Sequence, residues 1–253
     1  LQQEMENDDS VIVLGEDVGV DGGVFRGTDG RIDQFVEVRV LDTPLAENGI
    51  VGMSIGMALY GLKPVCEIQF SGFSYQNFHQ IENHAARLRW RSRGRYQVPM
   101  VLRTPYGGGV RALEHHSESR EAYWAHTPGI KTVIPSGPRN ARGLLVSAIR
   151  DPDPVIFYES KALYRAFREE VPEEEETVPI GQPRIVREGK DLTMIAYGAM
   201  MRPTLAAAIS LKDKYGLEAE VIDLLTVSPL DDKIFVTSVL KTGRALIVHE
   251  APR

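Results

Sequence analysis

The sequence predicts an α/β protein built from two parallel-sheet units. Short apolar runs alternate with longer helical patterns along the chain, and this alternation is typical of β-α-β units. Runs such as residues 11–14 (VIVL) and 155–158 (VIFY) carry no charge, as expected for strands buried on both faces. The acidic, proline-broken stretch 169–176 interrupts the alternation, which then restarts. We therefore predict a first unit over residues 1–168, a linker over 169–183 and an incomplete second unit over 184–253.

The composition is that of an ordinary globular protein. The chain has 253 residues, of which 43% are hydrophobic and 25% charged. Its net charge is −6 and its basic residues are scattered, so nothing indicates a nucleic-acid partner. Cys66 is the only cysteine, which excludes an internal disulfide framework and a cysteine metal cluster. The uncharged, glycine-studded run 48–62 is short for a bilayer span of about 20 residues, so we expect no membrane partner.

The first predicted strand, residues 11–14, is followed by Glu16 and Asp17. These acids lie at the carboxyl end of the strand, where open α/β sheets place ligands. The glycine-rich loop 19–30 cannot be regular structure and must approach another part of the molecule closely. It contains no GxGxxG that opens a helix, so the dinucleotide fingerprint is absent. A second strand is predicted over residues 36–41.

A long apolar helix is predicted next, with Thr43 as its N-cap and Pro44 in its first turn. Glu47 is the only carboxylate at the start of this run. By residue chemistry alone, an acid favoured by the helix dipole is the simpler interpretation. Burial by the apolar run would, however, raise the pKa of a carboxyl group and strengthen its hydrogen bonds, as a catalytic acid requires.

The rest of the first unit continues the alternation. Strands are predicted over residues 65–70, 100–103, 131–134 and 155–158, and helices over 78–95 and 140–150. Gln69 and Phe73 lie at and after the end of the first of these strands. The basic end of helix 78–95 is typical of a solvated, dipole-matched helix terminus rather than of a phosphate site.

A glycine-rich loop after residue 103 leads to His115 and His116. Such a loop is typical of a mobile or ligand-facing segment. Adjacent histidines cannot share one face of a helix or strand, so a metal pair is not indicated. A loop histidine is a candidate acid or base, because its pKa is close to neutral.

The second unit has the pattern β-α-β-α-β. Strands are predicted over residues 192–198, 219–225 and 245–249, with helices over 203–215 and 231–240. Three strands make a thin sheet. We therefore expect either that the C-terminus is truncated or that another chain completes the sheet.

Seven motifs occur in one order along the chain: GEDVG with GGVFRGTDG, DTPLAENGIVG, GLKPVCEIQF, YGGGVR with HHSES, HTPGIKTVIPS, LLVSAIRDPDPVIFYESK with LYR, and KTGRALIVHEAPR. Together they resemble the β subunit of the thiamine-diphosphate-dependent 2-oxo acid dehydrogenases, over essentially the whole chain. Within that family, EIQFSGF and the first loop are most similar to bacterial-type pyruvate dehydrogenase β chains. The β chains of branched-chain 2-oxo acid dehydrogenases are close behind.

The resemblance implies a pyrimidine-binding fold followed by a transketolase C-terminal-like domain. In this family the β chain binds the aminopyrimidine half of thiamine diphosphate. The α chain holds the diphosphate and its magnesium ion through a GDG…N motif, which this sequence lacks. The chain is therefore similar to half of a cofactor site.

The resemblance also implies roles for individual residues. Glu47, in the DTPLAE motif, would hydrogen-bond the pyrimidine ring nitrogen and favour the imino form that takes the proton from the thiazolium carbon. Leu45, Gln69 and Phe73 match positions that line the pyrimidine. Many relatives have Tyr in place of Phe73, so stacking is retained while a hydroxyl group is lost. His116 matches the histidine that reaches towards the thiazolium and the incoming lipoyl arm, whereas its neighbour His115 is expected to be structural.

A structural potassium site is a further implication of the resemblance. Its ligands would be backbone carbonyls, since hard cations favour oxygen. The matching positions are Met100, Ala148, Ile149, Asp151 and Asp153. The alternative is a turn that is simply rich in Asp and Pro.

The implied assembly is an α2β2 heterotetramer that oxidatively decarboxylates pyruvate, a small 2-oxo acid. It would pass the acetyl group to the lipoyl group of a dihydrolipoyl acyltransferase. The expected location is the cytoplasm of a prokaryote or the mitochondrial matrix of a eukaryote.

Three alternatives stay open in different degrees. A branched-chain substrate such as 2-oxoisovalerate fits as well, because much of the acyl pocket should come from the α chain. The missing diphosphate motif argues against a self-sufficient transketolase-like enzyme acting on sugars. The presence of Glu47 and His116 together argues against a docking subunit without catalytic residues.

Overall fold

Two sheets organise the chain in the computed structural model, which describes residues 1–252. The strands are β1 (Val11–Gly15), β2 (Val40–Asp42), β3 (Lys63–Glu67), β4 (Val101–Tyr106), β5 (Lys131–Val133), β6 (Val155–Ser160), β7 (Arg184–Arg187), β8 (Leu192–Ala196), β9 (Ala219–Asp223), β10 (Thr226–Ser228) and β11 (Ala245–Val248). The α-helices are α1 (Gln2–Asn7), α2 (Arg31–Phe35), α3 (Glu47–Leu59), α4 (Leu88–Arg91), α5 (Glu121–Ala125), α6 (Pro138–Arg150), α7 (Met201–Tyr215) and α8 (Lys233–Thr242). Over the same described residues, no helix has both the length and the apolar character needed to cross a bilayer.

The first sheet has seven strands in the order β10-β5-β6-β4-β3-β1-β2. All its strand pairs are parallel except the pairing of β10 with β5. Alternate residues enter two separate cores: Leu14 and Cys66 pack in one, Val13 and Val65 in the other. This two-sided burial explains the uninterrupted apolar runs of the sequence. The carboxyl ends of the parallel strands meet at one edge, where the candidate site lies.

The second sheet has four strands in the order β11-β8-β9-β7. The three predicted strands are parallel, as expected, while β7 is antiparallel to β9 and was missed. Strand β7 has the sequence RIVR and most of it is exposed, so its sequence lacks the apolar run that marks a buried strand. The predicted strand 219–225 ends at Asp223, and the following β10 joins the first sheet instead. The second predicted unit thus contributes one strand, β10, to the sheet of the first.

Three predicted boundaries in the first unit are wrong. The strand predicted over 36–41 is confined to β2, because Val36 has a left-handed φ of 60° that turns the chain after α2. Helix α3 begins at Glu47 with Ala46 as N-cap, because the Thr43 amide donates to the Gly15 carbonyl at 3.0 Å and prolongs the strand pairing. The helix predicted over 78–95 is broken by a π-helical segment, Gln80–Ala85, so only α4 follows it as α-helix.

The acidic segment after β6 lies along α6. Arg142 donates to the carbonyls of Glu173 and Glu174, at 3.2 and 3.1 Å. Arg139 and Arg150 pair with Glu176 and Glu175. The segment is therefore tied to the surface of the first unit rather than free in solvent. The proposed division into residues 1–168, 169–183 and 184–253 stays a prediction.

Candidate active site

Glu47 is the first residue of α3 and is only 2% exposed. The helix is buried here because Ile50, Val51 and Ile55 pack into the first core. The Glu47 Oε2 atom is buried without a hydrogen-bond partner. An unsatisfied buried carboxyl oxygen is costly, and such a group in a folded protein calls for an explanation. Glu47 lies at the edge of a parallel sheet where ligands bind. The direct explanation is therefore that a bound molecule completes this hydrogen bond.

Glu16 follows β1 and is a second buried carboxyl group beside Glu47. It is 6% exposed, and its Oε1 atom also lacks a partner. Burial raises the pKa of Glu16, and the nearby carboxylates of Glu47 and Asp17 raise it further, against the hydrogen bond from the Ala46 amide. The sequence analysis placed Glu16 at this edge but gave it no role. The structure places the two carboxyl groups close enough to interact electrostatically.

An aromatic cluster brings Phe73 and His116 together around Phe70. The ring centroids of Phe70 and Phe73 are 5.5 Å apart, and the His116 ring lies 4.6 Å from Phe70 and 5.3 Å from Phe73. All three pairs are edge-to-face, the arrangement that the ring quadrupoles favour. The predicted imidazole and the predicted stacking ring therefore share one surface.

The loop that carries His116 is held in place by its backbone. The Glu118 carbonyl accepts hydrogen bonds from the Gly107 amide at 2.9 Å and from the Ser71 hydroxyl at 2.7 Å. A Cβ atom on Gly72 would lie 2.2 Å from the His115 carbonyl oxygen, so this close approach requires glycine. His115 thus contacts the 3₁₀ segment Ser71–Tyr75 through its backbone, which is consistent with a structural part for this residue.

The positions of Gln69 and Leu45 do not by themselves indicate that either residue binds a ligand. The Gln69 amide nitrogen donates to the Asp17 carboxylate at 2.9 Å, so Gln69 is tied to the end of β1. Leu45 lies in the turn before α3 and is 77% exposed. An exposed leucine at the lip of a site can cover a bound ring, but no contact in the chain fixes it there. The roles of both residues stay predictions.

A buried ion cluster lies at the ends of β3, β4 and β6. The Arg103 guanidinium donates to the Glu159 carboxylate at 2.8 and 3.1 Å and to Glu67 at 3.4 Å. Burial is the largest single influence on Glu159 and raises its pKa, but the Arg103 charge and the hydrogen bonds from Arg103 and Tyr164 together outweigh it and hold that pKa below its usual range. For Glu67 burial dominates, and its pKa is raised.

The glycine-rich loop closes over this cluster. A Cβ atom on Gly27 would lie 3.2 Å from Arg103 Nη2, and one on Gly23 would lie 3.1 Å from Glu67 Oε1. The close approach that the loop composition predicted is therefore onto buried charges of the chain itself. The sequence analysis missed Arg103, although it ends one of the predicted strands.

Lys161 is a buried amine that the sequence analysis also missed. It follows β6, is 6% exposed, and its Nζ atom has no hydrogen-bond partner. Nζ lies 5.5 Å from the centroid of Phe70, at the aromatic cluster. Burial lowers the pKa of Lys161 to about 8, and the Glu250 carboxylate acts in the opposite direction.

The residues of the predicted potassium site lie at the end of α6 and at the start of β4. The Met100 carbonyl accepts from the Val155 amide at 3.0 Å, and the Ala148 carbonyl from the Asp151 amide at 3.3 Å. Side-chain charges of this turn are already paired, Asp151 with Lys131 and Asp153 with Arg89. Each carbonyl keeps one lone pair for a cation. The carbonyl of Ile149 belongs to the same helix end.

Arg89, which pairs with Asp153, comes from the basic end of the predicted helix 78–95. Its ion pair agrees with a structural rather than a phosphate-binding part for that segment. Nothing in the geometry requires potassium, and the site stays a prediction.

Comparisons with known proteins identify the two units. The family model described as the transketolase pyrimidine binding domain matches residues 1–166, and the one described as the transketolase C-terminal domain matches residues 181–253. A solved chain described as a split-gene transketolase in an inactive beta4 tetramer superimposes with a TM-score of 0.81 at 20% identity. The superposition covers 98% of this chain and 75% of that one, and it shows the fold alone. The predicted fold class is thus confirmed.

Relatives of higher identity define the family. The pyruvate dehydrogenase E1 component subunit beta of Bacillus subtilis (strain 168) is 54% identical over 253 residues, which cover all of this chain and 78% of that protein. The protein of the same name from Acholeplasma laidlawii is 50% identical over 251 residues, covering 99% of this chain and 76% of the relative. The resemblance deduced from the motifs is therefore confirmed, and the chain belongs to the family of the pyruvate dehydrogenase E1 component beta subunits.

Proposed function

We propose that this chain is the β half of the decarboxylating component of a pyruvate dehydrogenase complex, an oxidoreductase. The observation that carries the proposal is the buried, unpartnered Oε2 atom of Glu47 at the carboxyl edge of the first sheet. The aromatic surface of Phe73 and His116 supports it.

These residues fit the aminopyrimidine half of thiamine diphosphate. Glu47 would hold a hydrogen bond to a ring nitrogen, and the Phe73 ring would pack against the pyrimidine face. Bound thiamine diphosphate supplies the nucleophilic carbon that attacks a 2-oxo acid and the electron sink that permits loss of carbon dioxide. Glu16, whose pKa is raised by burial and by the neighbouring carboxylates, is the second carboxyl group at this site.

The rest of the cofactor site would come from another chain. The sequence has no GDG…N motif, and the part of the chain that the structure describes holds no cluster of three His, Cys, Asp or Glu side chains able to bind a metal. We therefore assign the diphosphate and its magnesium ion to an α subunit, in an α2β2 heterotetramer. The acyl acceptor would be the lipoyl group of a dihydrolipoyl acyltransferase, and a potassium ion at the end of α6 is a subsidiary part of the proposal.

Reconstitution tests this function. We expect the chain mixed with an α subunit of the same family to release carbon dioxide from pyruvate in the presence of thiamine diphosphate, magnesium ions and an artificial electron acceptor. Pyruvate is the expected substrate because the relatives at 50–54% identity carry that name. A higher kcat/KM with 2-oxoisovalerate would reassign the chain to branched-chain substrates. No release from either acid would contradict the proposal.

The His116→Ala variant separates the two half-reactions. We expect lipoamide acetylation to fall by about 10²–10⁴-fold, while carbon dioxide release with an artificial acceptor falls much less. The physical reason is that an imidazole on the loop can donate a proton to a dithiolane sulfur as the acyl group transfers. His115→Ala is the matched control, because the His115 ring is next to His116 in sequence but is exposed and lies outside the aromatic cluster. Equal losses in both assays would show that His116 only pins the loop, and a loss confined to decarboxylation would reverse its role.

A further inference from the structure

The glycine segment Gly107–Gly109 leaves β4 and begins the loop that carries His116. Glu250, from the second unit, lies directly against it. The Gly108 amide donates to Glu250 Oε2 at 3.4 Å, and a Cβ atom on Gly107 would lie 2.6 Å from Glu250 Oε1. Gly107 also has a φ of 77°, which other residues rarely adopt. Both features require glycine at this position.

The opposite side of the segment faces the residues after β6. A Cβ atom on Gly109 would lie 3.1 Å from the amide nitrogen of Ala162, the neighbour of Lys161. The Lys161 Nζ atom and the Glu250 Oε1 atom are both buried, and neither has a hydrogen-bond partner. The segment thus lies between the Glu250 carboxylate of the second unit and the backbone that follows β6 in the first.

We propose that Glu250 is a positioning residue for the reaction: its carboxylate, which accepts from the Gly108 amide and lies against Gly107, fixes the start of the His116 loop. The second unit would then set the position of a catalytic side chain in the first. The effect on acyl transfer rests on the proposed function, whereas the effect of Glu250 on the position of the His116 loop does not.

Charge is central to this arrangement. Removing the carboxylate leaves the Lys161 ammonium buried without a counter-charge, which is unfavourable in a low-dielectric environment. It also removes the acceptor of the Gly108 amide. The loop should then open more often at its base, while the sheets on either side keep their pairing.

Amide hydrogen exchange, measured on the chain assembled with its α subunit, tests the proposal. In Glu250→Ala we expect the amides of residues 107–119 to exchange about tenfold faster, with exchange in α7 little changed. Lys161→Met should give a similar increase, and the double variant should add little to either. Glu250→Asp should restore part of the protection. Glu188→Gln is the matched control, since Glu188 belongs to the same unit and its side chain is 80% exposed.

Activity gives the second readout. In Glu250→Ala we expect kcat for lipoamide acetylation to fall several-fold more than carbon dioxide release, with the KM for pyruvate nearly unchanged. Unchanged exchange in residues 107–119, or an equal increase in every peptide, would overturn the proposal. A local increase in an enzyme that acts on neither 2-oxo acid would overturn the proposed function and leave the positioning role standing.

Discussion

Replacing Glu47 by Gln should reduce carbon dioxide release by the assembled enzyme by about 10²–10⁴-fold, the usual contribution of a positioned acid or base. The amide has nearly the same volume as the carboxyl group, so packing around α3 should be retained. What it loses is the ability to hold and release a proton at the buried, unpartnered oxygen. The same loss should appear in proton exchange at the reactive carbon of bound thiamine diphosphate, followed by magnetic resonance.

The control for this variant is Glu114→Gln, an exposed acid on the His116 loop. It should leave exchange and turnover unchanged. If Glu47→Gln exchanged within tenfold of the wild type, the effect on the barrier would be under about 1.4 kcal/mol. Glu47 would then be only a helix-start acid, the simpler interpretation that its sequence position first suggested.

Replacing Arg103 by Met should lower the free energy of unfolding by about 3–5 kcal/mol. The substitution leaves Glu159 and Glu67 buried without their common cation, and both are largely shielded from water. The loss should be visible as a lower urea midpoint of the purified chain. Because Gly23 and Gly27 pack on this cluster, the glycine-rich loop should also become more accessible to protease.

Arg139→Met is the matched comparison. Arg139 also makes a two-pronged pair with a glutamate, Glu176, but both partners are much more exposed. Exposed ion pairs of this kind contribute little to the free energy of unfolding, so the urea midpoint should hardly change. Similar losses in the two variants would show that burial of the Arg103 cluster is not what makes it important.

Local patterns predicted the central strands well, and there is a physical reason. Strands β1 and β6 are buried on both faces over most of their length, so each contains an uninterrupted apolar run, VIVL and VIFY. The start of α3 was misplaced because hydrogen bonding of Thr43 to β1 overrides the capping preference of its side chain. Strand β7 was missed because an exposed edge strand has no buried face to leave a pattern.

Site residues divide in the same way. Glu47 and His116, whose roles stay predictions, were proposed from motifs that lie within short stretches of sequence. The Arg103 cluster could not be predicted in this way, because it depends on β4 lying between β3 and β6, an order that local sequence does not encode. The position of Glu250 is still harder to predict, since it comes from the second unit and lies against Gly107 and Gly108 of the first.

The most direct test of the central claim, that this chain holds half of a cofactor site, is calorimetric titration with thiamine diphosphate and magnesium ions. The titration should be made on the chain alone, on the α subunit alone and on their mixture. We expect weak or no binding by the chain alone and tight binding by the mixture, with stoichiometry set by the paired chains. Tight binding by the isolated chain would contradict it.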